Sequence, residues 1–151
     1  MDNLDLKIIS LLQEDGTATN AGIARKVGVS EETVRRRLKR LIQEEYIKVV
    51  ALPDPAKLGY ESEVLIGIQV AAAKVDEVAD TLAEMDEINW VSITTGSYDV
   101  FAWATLRTSE ALSIFLRSKV GTIPGVNKME TFINLAIKKR RSGKVYNGVA
   151  I

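Results

Sequence analysis

Ile23-Ala24-Arg25-Lys26-Val27-Gly28-Val29-Ser30, followed by Val34-Arg35-Arg36-Arg37-Leu38-Lys39-Arg40-Leu41, is the stretch on which the reading of this chain turns. A helix-turn-helix needs a small residue where its two helices cross, a turn residue that accepts positive φ, and apolar anchors beneath. Ala24, Gly28 and Val34 supply these at i, i+4 and i+10. Ser30 predicts the N-cap of the second helix of the pair, which runs through Glu31, Glu32 and Thr33 and the basic run to about Glu44. At about 100° per residue, Val34, Leu38, Leu41 and Ile42 gather on one side of that helix. The other side presents Glu32, Thr33, Arg36, Lys39, Arg40 and Gln43, with Arg35 and Arg37 on the flanks.

Residues near the start of such a helix reach deepest into a major groove, so Glu32, Thr33 and Arg36 are expected at base edges. Arg37, Lys39 and Arg40, with Ser30 at the helix start, are expected on phosphates. The plainer alternative is a solvated face in which the basic residues pair with Glu31, Glu32, Glu44 and Glu45. The order Ala24, Gly28, Ser30 ahead of the basic run is what favours DNA.

Working outward, Leu4, Ile8, Leu11 and Leu12 mark a first helix ending at Asp15-Gly16, and Asn20 is expected to cap the short second helix. Ile47 to Leu52 reads as a wing strand, and Pro53-Asp54-Pro55 opens a linker over 53–60. Beyond it, Val64, Ile66, Ile68 and Val70 alternate as a half-buried strand, and Val75, Val78, Ala79, Leu82 and Met85 recur at helical spacing. A strand over about 88–95, the turn Gly96-Ser97, a strand from Tyr98 to about Leu106 and a helix with Leu112, Phe115 and Leu116 follow. The turn Pro124-Gly125 leads to a last strand carrying Met129, Thr131, Ile133, Leu135 and Ile137. The expected fold is α+β: a winged helix-turn-helix over 1–52 (three helices plus wing), then a ferredoxin-like βαββαβ domain over 61–151 with a four-stranded antiparallel sheet.

Composition narrows the function. The 151 residues hold no cysteine and no histidine, which removes disulfides, thiolate metal sites and the commonest general acid/base. No cofactor and no metal are expected. No apolar run reaches the roughly 20 residues needed to span a bilayer and no secretory signal opens the chain, so no membrane partner and a cytoplasmic location are expected. The net charge of zero hides an uneven distribution. Residues 61–137 carry 5 basic and 11 acidic side chains, whereas 138–151 carry five basic and none acidic, and five of the six positions 35–40 are basic. Charge concentrated on one element is what a phosphate-binding surface requires. No phosphate-binding loop, dinucleotide fingerprint or nucleophile elbow is present, and the adjacent acids Glu31-Glu32, Glu44-Glu45 and Asp86-Glu87 read as surface charges.

Taken together, Leu4-Asp5, Leu11 to Gly16, Ile23 to Ser30, Val34 to Leu41, Ile47-Lys48 and Leu58-Gly59 resemble the leucine-responsive regulatory protein/AsnC, or feast/famine, regulators. The likeness extends to Gly96-Ser97-Tyr98-Asp99, Ile123-Pro124-Gly125-Val126 and Thr131. The resemblance implies a transcriptional regulator that binds double-stranded DNA, dimerises through its sheets and assembles dimers further, up to octamers. It also implies an amino-acid effector near the β2/β3 loop, which points to Gly96, Ser97, Tyr98 and Asp99, with Thr122, Pro124, Gly125 and Thr131 as further candidates. Loop N–H groups suit a carboxylate and Asp99 suits an ammonium; as bare geometry, Gly96-Ser97 is also an ordinary hairpin turn.

The chain departs from the family pattern in three places. Glu45 stands where a glycine commonly ends the recognition helix, and a left-handed conformation there costs about 1 kcal/mol. Thr17 replaces a frequent arginine. Lys138-Lys139-Arg140-Arg141-Ser142-Gly143-Lys144 is a basic tail, solvated or a second phosphate contact. Two other functions stay open from sequence: an architectural DNA-wrapping protein without effector, and a sirohaem-decarboxylase-like enzyme, which the absence of histidine disfavours.

Overall fold

A computed structural model describes residues 1–139, which fall into two compact units, Met1–Leu52 and Pro53–Lys139. The first unit holds α1 (Asn3–Glu14), α2 (Asn20–Val27) and α3 (Glu31–Gln43). Thr19, rather than Asn20, caps α2: its hydroxyl accepts the Gly22 N–H at 3.0 Å, and Asn20 is the first helical residue. Gly28 ends α2 with φ 76, and the Ala24 carbonyl accepts both the Gly28 and Val29 amides. Ser30 caps α3 by accepting the Thr33 N–H. Ile8, Ile9, Ile23, Ala24, Val34 and Leu41 form one core, with Leu4, Leu11, Leu12, Val27, Val29 and Ile47 packed around it. Each large aliphatic side chain buried here contributes about 1.5–3 kcal/mol. Ile42, expected on the buried side, is 44% exposed, because the core ends at Leu41.

The expected wing strand over 47–52 is not formed among the described residues. A β ladder requires a second strand, and residues 1–52 hold none; after Ile47, whose amide reaches the Leu41 carbonyl at 3.4 Å, the segment is exposed.

The second unit begins with a short 3-10 turn, Ala56–Leu58, closed by Gly59 at φ 81. The Arg107 guanidinium lies 4.8 Å from the centre of the Tyr60 ring. Then come β1 (Ser62–Val70), α4 (Val75–Ala83), β2 (Ile88–Ile93), β3 (Val100–Leu106), α5 (Ser109–Ser118) and β4 (Val126–Ile133). The sheet order β2-β3-β1-β4, antiparallel throughout, is the expected βαββαβ arrangement. Val64, Ile66, Ile68, Val100, Ala102 and Ala104 alternate onto the face covered by Val78, Leu82, Leu112, Phe115 and Val120 of the helical layer. β4 stops at Ile133 instead of continuing to Ile137: Asn134 turns back to the Glu63 carbonyl through its amide and its side chain, and Leu135 is 96% exposed.

The opposite face of the sheet carries Leu65, Trp90, Phe101, Trp103 and Phe132, aligned by the pairs Leu65↔Trp103, Trp90↔Trp103, Gly67↔Phe101 and Leu65↔Phe132. Among the described residues no helix covers it, and Trp90 is half exposed.

Candidate functional site

The outward surface of α3 is set by its buried one. Val34 and Leu41 are fully enclosed, so the residues about 180° from Val34 point to solvent. There Arg36 and Lys39 are exposed and make no hydrogen bond or ion pair among the described residues. Glu32 and Arg35, also exposed, pair at 2.5 Å, a contact worth at most about 1 kcal/mol in water and readily exchanged. Ser30 and Thr33 share a hydroxyl–hydroxyl hydrogen bond of 2.8 Å at the helix start.

Arg37 and Arg40 occupy a different environment from the one expected. Arg37 Nη1 donates to Asp2 Oδ2 at 2.6 Å and to Asp5 Oδ1 at 3.2 Å, and Arg40 Nη2 donates to Asp5 Oδ2 at 2.6 Å. Both guanidiniums therefore turn toward α1. Asp2 and Asp5 form the capping box of α1, each carboxylate accepting the other residue's amide. The Asp5 N–H first, and then the Arg37 guanidinium, hold the Asp2 carboxyl down at about 2, and the hydrogen bond to Asp2 pushes the Arg37 guanidinium up. Sequence reasoning missed both acids. The signal was present: Asp5 lies three and four residues before Ile8 and Ile9, inside the buried stripe, where a carboxylate demands partners.

The glycine-led loop between β2 and β3 is tied to the end of β1. The Asp99 amide donates to the Ile68 carbonyl at 2.9 Å, and Asp99 Oδ2 accepts the Val70 N–H at 2.8 Å, where the β1/β4 register shifts between Gln69 and Val70. That oxygen, expected to meet an ammonium, thus satisfies an amide freed by the bulge. The Ser97 carbonyl accepts from Gln69 Nε2 at 2.9 Å. Gly96, at φ 114, has open space around it. Tyr98 does not face that space. Its ring lies over Gly67, where a Cβ would come within 2.9 Å of it, edge-on to Phe101 and Phe132, with its hydroxyl donating to Glu130. That hydrogen bond raises the phenol pKa. Gly67 and Glu130 are further residues the sequence alone did not single out.

Gly125 reaches the same end of the sheet: its carbonyl accepts the Ala71 amide at 2.9 Å, one residue beyond the amide held by Asp99. Its φ of 100 and the close approach of Lys74 admit only glycine. Pro124 beside it is exposed. Thr122 spends its hydroxyl on the Ser118 and Lys119 carbonyls, and Thr131, paired with Ile66, sits farther along β4 on the helix-covered face. The loops carrying Gly96–Asp99 and Pro124–Gly125 are thus brought together, and Thr131 stands apart. Of the basic tail, Lys138 and Lys139 are exposed, and Arg140, Arg141 and Lys144 lie outside the described residues.

Comparison with known proteins agrees with this anatomy. Residues 1–42 match the AsnC-type helix-turn-helix domain and residues 63–143 the Lrp/AsnC ligand binding domain. The transcriptional regulator FL11 of Pyrococcus horikoshii is 39% identical over 140 residues, 92% of each chain. Ptr1 of Methanocaldococcus jannaschii, also a transcriptional regulator, is 37% identical over 128 residues, 84% of this chain and 86% of that one. Among solved structures, AsnC of E. coli superposes with a TM-score of 0.85 at 31% identity, covering 95% of this chain and 98% of that one. A Neisseria meningitidis regulator in complex with L-Met gives 0.86 at 25% identity, covering 94% of both. With both domains matched in order along its length, this chain belongs to the Lrp/AsnC family of helix-turn-helix transcriptional regulators.

Proposed function

We propose that this regulator reads double-stranded DNA with the outward face of α3, placing Glu32, Thr33 and Arg36 at base edges and Lys39 on a phosphate, with Arg35 exchanging Glu32 for the backbone. The observation that carries this is Arg36 and Lys39, exposed and without a protein partner among the described residues, on a helix held by Val34 and Leu41. Guanidinium and ammonium groups free of internal partners can be turned to base edges and phosphates at little cost. Residues 1–52 are the reading domain, 53–60 the connection, and 61–151 the effector and assembly domain of a cytoplasmic protein.

The uncovered sheet face supports a homodimer. Leu65, Trp90, Phe101, Trp103 and Phe132 form one apolar surface on the side of the sheet away from the helices, and a second copy of the same face is its self-complementary partner. An amino acid is the proposed effector, bound near Gly96 and the Pro124–Gly125 turn and biasing the equilibrium between assemblies. The Neisseria meningitidis relative's complex with L-Met supports that ligand class. A gel shift on the DNA upstream of the chain's own gene, with and without a pooled amino-acid mixture, tests both parts. Retardation that weakens with salt and changes with amino acids is expected. No retardation at low salt refutes the DNA reading, and retardation indifferent to every amino acid refutes the effector.

A further inference from the structure

Asp5 is the only charged residue with no exposed surface among the described residues. A carboxylate removed from water is costly unless donors replace the lost hydration. Asp5 has three: the Asp2 amide at 2.9 Å, Arg37 at 3.2 Å and Arg40 at 2.6 Å. Two of these come from α3, one turn apart. A single ion pair leaves a helix free to pivot, whereas two anchors at successive turns fix both its height and its roll against α1. At an outer radius of about 6 Å, a roll of about 20° moves a side-chain tip by roughly 2 Å. That is enough to break a hydrogen bond to a base edge.

We propose that Asp5, supported by Asp2, is a positioning residue for DNA reading: it sets the roll of α3 and withdraws Arg37 and Arg40 from the phosphate contacts. The inference rests on the DNA-binding reading above. It divides the basic run in two, with Arg36 and Lys39 for DNA and Arg37 and Arg40 for the protein. The division follows the helix itself, since residues 37 and 40 share the flank that faces α1 and residues 36 and 39 do not.

Salt dependence separates this role from a merely structural one. Each cation–phosphate contact adds about 0.9 to the slope of log K against log salt concentration on duplex DNA. Anisotropy titrations of the full chain with a labelled duplex of shuffled sequence measure that slope without knowledge of the operator. Lys39→Gln is expected to lower it by about 0.9, whereas Arg37→Gln and Arg40→Gln, shown folded by circular dichroism, leave it unchanged. Asp5→Asn, which frees Arg40 and leaves Arg37 only its contact with Asp2, is expected to steepen the slope by about 0.9, the value of one added phosphate contact. It should also reduce the preference for the duplex upstream of the chain's own gene over the shuffled one by about tenfold, the order of one lost base contact. If Asp5→Asn does not fold, the two arginine variants still decide. A slope lowered by about 0.9 in Arg37→Gln or Arg40→Gln overturns the proposal while DNA binding stands. An unaltered protein that binds no DNA at low salt overturns the reading beneath it, and the proposal with it.

Discussion

Glu45 offers a quantitative test of how this chain ends its recognition helix. The Tyr46 amide donates to the Leu41 carbonyl at 2.9 Å and the Glu45 amide to the Ile42 carbonyl at 3.1 Å, the paired bonds of a Schellman motif, with Glu45 at the left-handed position, φ 57. Gly28 and Gly59 occupy comparable positions at φ 76 and 81, so Glu45 alone carries a Cβ at positive φ among the described residues. That conformation costs an L-residue about 1–2 kcal/mol, and glycine removes the cost. Against this, glycine gives the unfolded chain about 0.4–1 kcal/mol of extra conformational freedom. The Glu45 side chain is exposed and has no partner among the described residues, so no side-chain contact is lost. Glu45→Gly should therefore stabilise the helix-turn-helix unit by about 0.5–1 kcal/mol, or about 2–8 °C in melting temperature for a unit of this size. Circular dichroism at 222 nm reads the helices of both units, α1, α2 and α3 together with α4 and α5, while both tryptophans lie in the second unit, so a transition in the circular dichroism that tryptophan fluorescence does not share belongs to the first. Hydrogen exchange at the Tyr46 amide localises the gain. Glu45→Ala keeps the Cβ and should give no gain. Equal stabilisation by alanine, or a loss with glycine, would refute the assignment of strain to the left-handed backbone.

Acid should loosen the first unit in a defined window. Because folding lowers the Asp2 carboxyl from 3.8 to about 2, its contribution is complete above about pH 4 and disappears as pH falls toward 2. Melting temperature against pH should fall less steeply in Asp2→Asn, and identical curves would contradict the capping-box origin. In the second unit, Gly125→Ala places a Cβ 2.6 Å from that of Lys74 at φ 100, which should cost about 2–4 kcal/mol. Gly96→Ala, with open space around it, should cost only the backbone strain of about 1–3 kcal/mol. Urea titrations read by tryptophan fluorescence compare the two, and the reverse order would show that packing against Lys74 does not matter. Trp90→Lys, at the half-exposed edge of the uncovered sheet face, should shift sedimentation toward the monomer while leaving the far-ultraviolet spectrum intact. An unshifted dimer would place the interface elsewhere.

The recognition helix and the sheet were legible in sequence because both follow short-range rules. Ala24, Gly28, Ser30 and Val34 state a turn, a cap and an anchor within eleven residues, and the alternation of Val64 to Val70 states a strand with one buried face. The strain at Glu45 was legible too, since a left-handed helix end is a local demand. What periodicity cannot state is the partner. No wing strand forms over 47–52 because, among the described residues, 1–52 hold no second strand to pair with it. Arg37 and Arg40 were read as phosphate ligands from a helical wheel, which shows which residues avoid the core and cannot show that they also pair with acids 32 to 35 residues away. Tyr98 reads as the first residue of a strand and as an effector candidate, whereas β3 begins at Val100 and the Tyr98 ring settles on the sheet because Gly67 leaves room for it.

The sequence by itself determined a helix-turn-helix, a βαββαβ domain and a basic helix aimed at nucleic acid, since spacing along one element sets its faces. Only the tertiary structure decided which cations of that helix stay free. Pairing a buried carboxylate depends on two helices meeting in space, and Asp5 takes Arg37 and Arg40 while Arg36 and Lys39 remain exposed.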